Sequence, residues 1–423
     1  MSPDACRDLL EEAFRAAVAA AMPANILTPH LPPRPQGRLI VIGVGKAAAS
    51  MAQAVEAHYG DRVEGAVITR YGHALPTHSI DVLTAGHPVP DTAGEVATER
   101  LLVLLAGLSE DDLVLVLLSG GGSTLLTAPD GITLEQKADL TQSLLRCGAD
   151  IHEMNCVRKH LSRVKGGRLA VAAHPARVLT LVISDVVGDD LSVIASGPTV
   201  ADPTTFGNAL DVLDRYGLVA PEARRRFVQG MRGELPETLK PGDSRFDNCE
   251  TKLVATNQLS LEAAANRFAA AGVRAHILSA EVTGEARVAG GVHAAIVRQI
   301  LARGQPFRPP CALLSGGETT VRVRGRGRGG RNGEFALGLA LNLPLCAPTF
   351  ALAADSDGID GSEDNAGAWV TPDLFCTVPR DRARRLLEDN DSYTLFEEAD
   401  HLLFTGPTHT NVNDLRFVLV LDS

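Results

Sequence analysis

The chain has 423 residues, of which 45% are hydrophobic and 22% charged, with a formal charge of −11. This is too apolar for a disordered chain, and the acidic balance gives no support to an extended nucleic-acid surface. No uncharged apolar run approaches the ~20 residues that span a bilayer, and the length fits two or three domains.

The amino terminus carries Asp4, Asp8, Glu11 and Glu12 where a secretion signal would carry Lys or Arg. Ser2 or Asp4 caps an amphipathic helix with Leu9, Leu10, Ala13, Phe14 and Ala17 on one face. A cytoplasmic protein is expected. The seven cysteines are scattered and never in CxxC spacing, so they read as reduced thiols, not a disulfide frame or a zinc site.

Apolar runs over 39–42, 66–69, 113–118, 178–183, 253–256, 274–278, 311–314, 349–353 and 417–421 read as strands. Helical patterns lie over 47–59, 92–106, 134–147, 259–271, 291–303 and 334–343. Continuous Val/Ile/Leu runs separated by helices give an α/β fold with parallel sheets buried on both faces. The polar stretch 232–248, with Pro236 and Pro241 and no clear period, is the expected linker.

In such sheets ligands bind at the carboxyl ends of strands. After the first run comes Gly43-Val-Gly45-Lys46-Ala-Ala48, and then a helix. It lacks the P-loop spacing but fits G-x-G-x-x-A, so anion binding with Lys46 and a tight structural turn both stay open. After the third strand Ser119-Gly120-Gly121-Gly122-Ser123-Thr124 reads as a phosphate cradle or a sharp strand-to-helix turn. The basic stretch 160–168, which includes Lys165, either holds an anionic substrate or rides a solvated helix face, and taken alone the second reading is preferred. Asp185, Asp189 and Asp190 after the fourth long run fit Mg²⁺ or purely local turn bonding. In the second half Gly316-Gly317-Glu318 follows a strand, and Arg331 and Asn332 stand directly before a helix where an anion would sit. Asp355, Asp357 and Asp360 form an acidic loop at another strand end. Phosphoryl transfer needs this mixture of glycine loops, local cations and carboxylates.

In order along the chain, GVGKAAASMA, AGHPVPD, LLSGGGSTLL, HLSRVKGGRLA, SDVVGDDLSVIASGPT, LSGGETTVRV, GRGGRNGEFAL, DSDGIDGSEDNAGA and GPTHTNVNDL resemble the motifs of glycerate 2-kinases of the MOFRL type, some of which were labelled hydroxypyruvate reductases. The resemblance implies phosphorylation of D-glycerate to 2-phosphoglycerate with ATP and Mg²⁺. It implies a Rossmann-like three-layer domain over 1–240 and a smaller α/β domain with a mixed sheet over 241–423, with the active site in the interdomain cleft. By motif, Lys46 and Arg331 are the catalytic basic pair, and the loop Ser119, Gly120, Gly121, Gly122, Ser123 cradles ATP phosphates. Gly43, Gly45, Gly316, Gly317 and Asn332 are further candidates for holding the cofactor. Asp189, Glu318 and Asp357 are candidates for Mg²⁺ or for activating the hydroxyl, with Asp189 counted as catalytic. His409 stands where the family usually has Gly. The expected partners are small molecules, with no nucleic acid and no membrane, and a homodimer is left open. The alternatives are an NAD(P)H-dependent hydroxypyruvate reductase, motivated by Gly43-x-Gly45-x-x-Ala48 and Arg70, and a non-enzymatic binder of sugar phosphates or nucleotides.

Overall fold

The computed structural model describes residues 1–422. The chain forms two compact units, the first comprising Pro23–Ser184 and Asp189–Val254, the second Met1–Met22, Asp185–Gly188 and everything from Ala255 onward.

The first unit holds strands β1 (Leu39–Val44), β2 (Glu64–Arg70), β3 (Ile80–Ala85), β4 (Leu113–Leu118), β5 (Arg177–Ile183) and β6 (Cys249–Ala255). They form one sheet in the order β3-β2-β1-β4-β5-β6, the doubly wound order of dinucleotide-binding folds. The pairs from β3 through β5 are parallel. Every residue of β1 and β4 is buried, as their unbroken Val/Ile/Leu runs require of strands covered on both faces. β3 was not expected from sequence. It is an edge strand with a half-exposed pattern, and a sheet edge needs fewer apolar side chains.

The second unit holds β7 (Arg274–Ser279), β8 (Cys311–Gly317), β9 (Thr349–Asp355), β10 (Gly367–Val370), β11 (Leu402–Leu403) and β12 (Asp414–Val420). Their order is β11-β10-β9-β12-β8-β7. Only β7–β8 is parallel, so this sheet is mixed.

The division expected at 240/241 is displaced at both ends. The segment 232–248 leads into β6, which joins the first sheet beside β5, so the first unit runs on to Val254. The amino-terminal helix Pro3–Ala19 packs in the other unit. Its Leu10, Phe14 and Ala17 share a core with Phe268, Leu415 and Phe417, and Ser260 Oγ donates to the Ala17 carbonyl at 2.9 Å. Its apolar face finds its cover in the carboxy-terminal half, which sequence distance hides.

Candidate functional site

In the first sheet the strand order reverses between β1 and β4, the position at which doubly wound folds bind ligands. The loops after these two strands interlock. Lys46 N donates to Gly120 O at 2.8 Å and Ser119 N to Val44 O at 3.0 Å, while Ala47 N donates to Ser119 Oγ at 3.0 Å. A side chain at Gly45, whose φ is 132°, would strike Ser119, and one at Gly43 would come within 2.8 Å of the Leu117 carbonyl oxygen. Gly43, Gly45, Ser119 and Gly120 therefore let two protein segments approach each other. Gly122 likewise closes on Ala195. Gly121 (φ 81°) is different, since a Cβ there would stand 3.0 Å from His87 Nε2 and 3.6 Å from Lys46 Cγ. The loop apex thus lies beside a group of cations.

These are Lys46, Arg70 at the end of β2 and His73, which surround His87 just beyond β3. Burial, then the charges of Lys46, Arg70 and His73, push His87 down to about 4. Positive groups gathered at the carboxyl ends of parallel strands form a local anion site in a chain that is acidic as a whole.

Ser123 is held from behind. Lys165, completely buried, donates to Ser123 O at 2.8 Å and Ala195 O at 3.3 Å. Burial, followed by the charges of Lys137 and Arg158, holds its ammonium well below the usual lysine range. Ser123 Oγ also shares a hydrogen bond with Ser196 Oγ at 3.0 Å, and Ser196 Oγ donates to Asn155 Oδ1 at 3.0 Å. Ala195 (φ 51°) and Ser196 (φ 61°) both adopt left-handed backbone, a strain that non-glycine residues accept where the surroundings fix it. The sequence reading of 160–168 as a solvated face is corrected for Lys165, which braces this loop.

In the second unit Arg331 opens the helix Arg331–Asn342. Its Nε donates to Asp414 Oδ1 at 2.6 Å, Nη1 to Glu318 Oε1 at 3.0 Å, and Nη2 to Asp355 Oδ2 at 2.7 Å and Asn413 Oδ1 at 3.2 Å. The neighbouring carboxylates of Asp414, Asp355 and Glu318 outweigh burial and hold the guanidinium well above its ordinary value. Asp414, itself buried, also accepts from Arg416 and from Asn332 Nδ2. The anion at the helix start is the protein's own. Asp360 accepts from Asn332 N at 2.9 Å and Gly333 N at 2.8 Å, and burial lifts its carboxyl to about 7. Asn332 is fully buried, and its Nδ2 donates to Asp360 and Asp414.

Residues 9–229 match a domain family of unknown function, DUF4147, and residues 311–414 match the MOFRL family. A protein of Agrobacterium vitis with a provisional hydroxypyruvate reductase name is 49% identical, covering 98% of this chain and 94% of its own. The D-glycerate 2-kinase of Thermotoga maritima is 40% identical over 99% of both chains. The crystal structure of the Thermotoga maritima glycerate kinase superposes with a TM-score of 0.89 at 40% identity, covering 99% of this chain and 100% of that one. The chain belongs to the MOFRL-type glycerate kinase family.

Within the matched MOFRL segment, Gly316 and Gly317 prove to be packing glycines. A Cβ on Gly316 would overlap the Asn257 amide, and one on Gly317 (φ 114°) would meet the Val282 backbone. Asp357 is buried and accepts the Ile359 amide at 3.0 Å, the local turn bond that Asp makes in such loops. Glu318 faces Arg331. Asp189, at φ 54° and half-buried, belongs to the first unit, and its side chain accepts no hydrogen bond among the described residues. Among the described residues no three of His, Cys, Asp and Glu converge as a metal cage. The MOFRL-family position of His409 has φ 60°, left-handed backbone that glycine takes most readily. Asp414 and Arg416 escaped the sequence analysis, although their i, i+2 spacing in an apolar strand was the available signal.

Two histidines with lowered pKa predict how acid acts on the units. Burial also holds His293 at about 4, its Nδ1 donating to Ala289 O at 2.8 Å and its Nε2 accepting from Ser315 Oγ at 2.9 Å. A histidine whose folded pKa lies below its unfolded value binds its proton first in the unfolded chain, so stability falls as pH drops from 6.5 towards 4. Asp360 has the opposite sign, its raised folded pKa adding stability as pH falls from 7. Asp360 offsets His293 in the second unit, whereas His87 in the first has no such counterweight. The first unit should lose about 2 kcal/mol from His87 between pH 6.5 and 5. Hydrogen exchange of β1 and β4 amides, corrected for intrinsic rates, should show this, and His87→Asn should abolish most of it.

Proposed function

We propose that the chain transfers the γ-phosphoryl group of ATP to the 2-hydroxyl of D-glycerate, giving 2-phosphoglycerate and ADP. Full-length relatives named for this activity support it. The observation that carries it is the group of Lys46, Arg70 and His73 around a neutral His87 at the apex of the glycine loop, at the ligand-binding end of the first sheet.

In this reading Lys46 neutralises the glycerate carboxylate or the phosphoryl oxygens. Arg331 stabilises charge as the 2-hydroxyl oxygen bonds to phosphorus and the bond to the ADP oxygen breaks. Asp189, half-buried and with no side-chain hydrogen bond among the described residues, takes the hydroxyl proton or holds Mg²⁺. Mg²⁺ is commonly bound by one or two carboxylates with substrate phosphates supplying the rest, so the residues present fit it without a protein cage. Bound to ATP, it offsets phosphate charge during transfer. Asp357 and Glu318 leave the candidate metal set, because one serves its own loop and the other pairs with Arg331.

The cytoplasm is the proposed compartment, since it supplies ATP and keeps thiols reduced. All seven cysteines are free, and no helix among the described residues is long and apolar enough to cross a membrane.

Incubation with ATP, Mg²⁺ and D-glycerate should yield ADP and 2-phosphoglycerate in equal amounts. Formation of 3-phosphoglycerate alone, or no ADP, would exclude the reading. Gly43-x-Gly45-x-x-Ala48, the strand order and Arg70 favour a reductase as the second reading. Against it, Gly45 and Gly43 are needed for the close approach of Ser119 and the Leu117 carbonyl, which accounts for the glycine pattern without a dinucleotide. Oxidation of NADPH by hydroxypyruvate would reverse the preference.

A further inference from the structure

Beside the glycine loop the first unit contains a cavity of about 600 Å³, a size suited to a cofactor. Ser123 and Thr124 stand on one side of it, and Lys137 and Arg158 supply its charge. Lys137 is only 7% exposed, and its single hydrogen bond is to Thr127 Oγ1 at 3.5 Å. Arg158, partly buried on the helix Ile151–His160, forms no ion pair or hydrogen bond among the described residues. Burial and mutual repulsion hold Lys137 at about 8, with Glu95 the one carboxylate that raises it, and burial also lowers Arg158. Lys165, held well below the usual lysine range by burial, lies behind Ser123. The one acidic lining residue, Asp139, is exposed at the rim. Cations held out of water without a carboxylate are costly unless an anion joins them.

The remaining wall is apolar. Pro88, Val89 and Pro90 line it, with Leu145 on the helix Leu134–Arg146. Val89 is 68% exposed and Leu145 59%, large apolar side chains left in water at the mouth of a cationic cavity. Charge inside and an apolar lip match a nucleotide, whose phosphates are anionic and whose base is flat and apolar on its faces.

We propose that this cavity binds ATP, with Lys137, Arg158 and the Ser123 and Thr124 hydroxyls on the phosphate chain and the base against Pro88, Val89, Pro90 and Leu145. The assignment rests on the kinase reading above and goes beyond it by giving nucleotide affinity to Lys137 and Arg158, neither of which lies in a glycine loop. It also predicts that the basic group at Lys46 is left for glycerate and the transferred phosphoryl.

Titration of the full chain with a fluorescent N-methylanthraniloyl ATP tests it. Arg158→Met and Lys137→Met should each weaken binding at least tenfold and raise the KM for ATP similarly, while the KM for glycerate changes less than threefold. Arg158 is partly exposed and unpaired, so its variant should fold even if the Lys137 variant does not. ADP should displace the probe, and 2-phosphoglycerate or inorganic phosphate should not. Unchanged probe affinity in Arg158→Met overturns the proposal, as does displacement by 2-phosphoglycerate, which would give the cavity to the other substrate. If the probe binds in an Arg158-dependent manner but no 2-phosphoglycerate forms, the nucleotide site stands and the glycerate reading fails.

Discussion

Arg331→Ala is expected to lower turnover by about 10²–10³, the usual effect of deleting one preorganised donor to a transition-state oxyanion. The geometry shows how a guanidinium surrounded by carboxylates can still serve a substrate. Asp414 and Asp355 grip Nε and Nη2 from buried positions, their side chains 0% and 5% exposed. Glu318, at 50%, holds Nη1 from the rim. A rim ion pair is worth only about 0–1 kcal/mol, so an incoming phosphoryl or carboxylate oxygen can replace Glu318 at little cost while the buried pair keeps the fork aimed. The same substitution leaves Asp414 and Asp355 without this cation, which should also cost about 3–5 kcal/mol of stability. Two further variants separate the effects. Asp414→Asn breaks the buried pair but keeps the cation, so it should approach the stability loss with a smaller loss of turnover. Arg331→Lys restores a charge but cannot span the acceptors that the guanidinium reaches, Asp414, Glu318, Asp355 and Asn413, so turnover should stay low. Trp369, the single tryptophan, lies buried in the second unit and reports unfolding there. Turnover within threefold of the unaltered chain in Arg331→Ala would remove this residue from the mechanism.

The fold was legible where burial is two-sided. The runs behind β1, β4, β5, β8 and β9 contain little but apolar residues, and a strand covered on both faces admits little else. The edge strand β3 and the short β10 and β11 were not legible, because sheet edges and two- to four-residue strands carry no such run. β12 was read as starting at Phe417. Its first three residues include Asp414 and Arg416, charges that look like loop until each is seen to neutralise the other inside the sheet. The candidate site was legible in place more than in role. Glycine runs marked where chain segments come close, but a pattern of glycines cannot say whether the approaching atom belongs to a ligand or to the protein. At Gly43, Gly45, Gly316 and Gly317 it belongs to the protein. Lys137 and Arg158 carried no signal, since one cation on a helix resembles any solvated residue until the fold turns it inward.

Lys46→Ala should lower turnover by about 10²–10³ for the same electrostatic reason, but with a different structural signature. Lys46 is half-buried beside Arg70, His73 and His87, so its loss should cost less stability than that of Arg331. It should instead relieve its neighbours. His87 is held at about 4 first by burial and next by Lys46, so removing that charge moves His87 back towards 6.5 by part of the gap. An NMR titration of the His87 ring in the free protein should show the rise. The same coupling gives a ligand test in the unaltered chain. An anion seated among Lys46, Arg70 and His87 favours the protonated ring, so glycerate binding near pH 5 should take up a fraction of a proton, measurable as a dependence of binding enthalpy on the buffer used. Lys46→Ala should weaken glycerate binding and leave ATP binding nearly unchanged if the two anions occupy separate places in the first unit. A near-normal rate together with an unmoved His87 titration would mean that Lys46 stands apart from both the chemistry and the cation group.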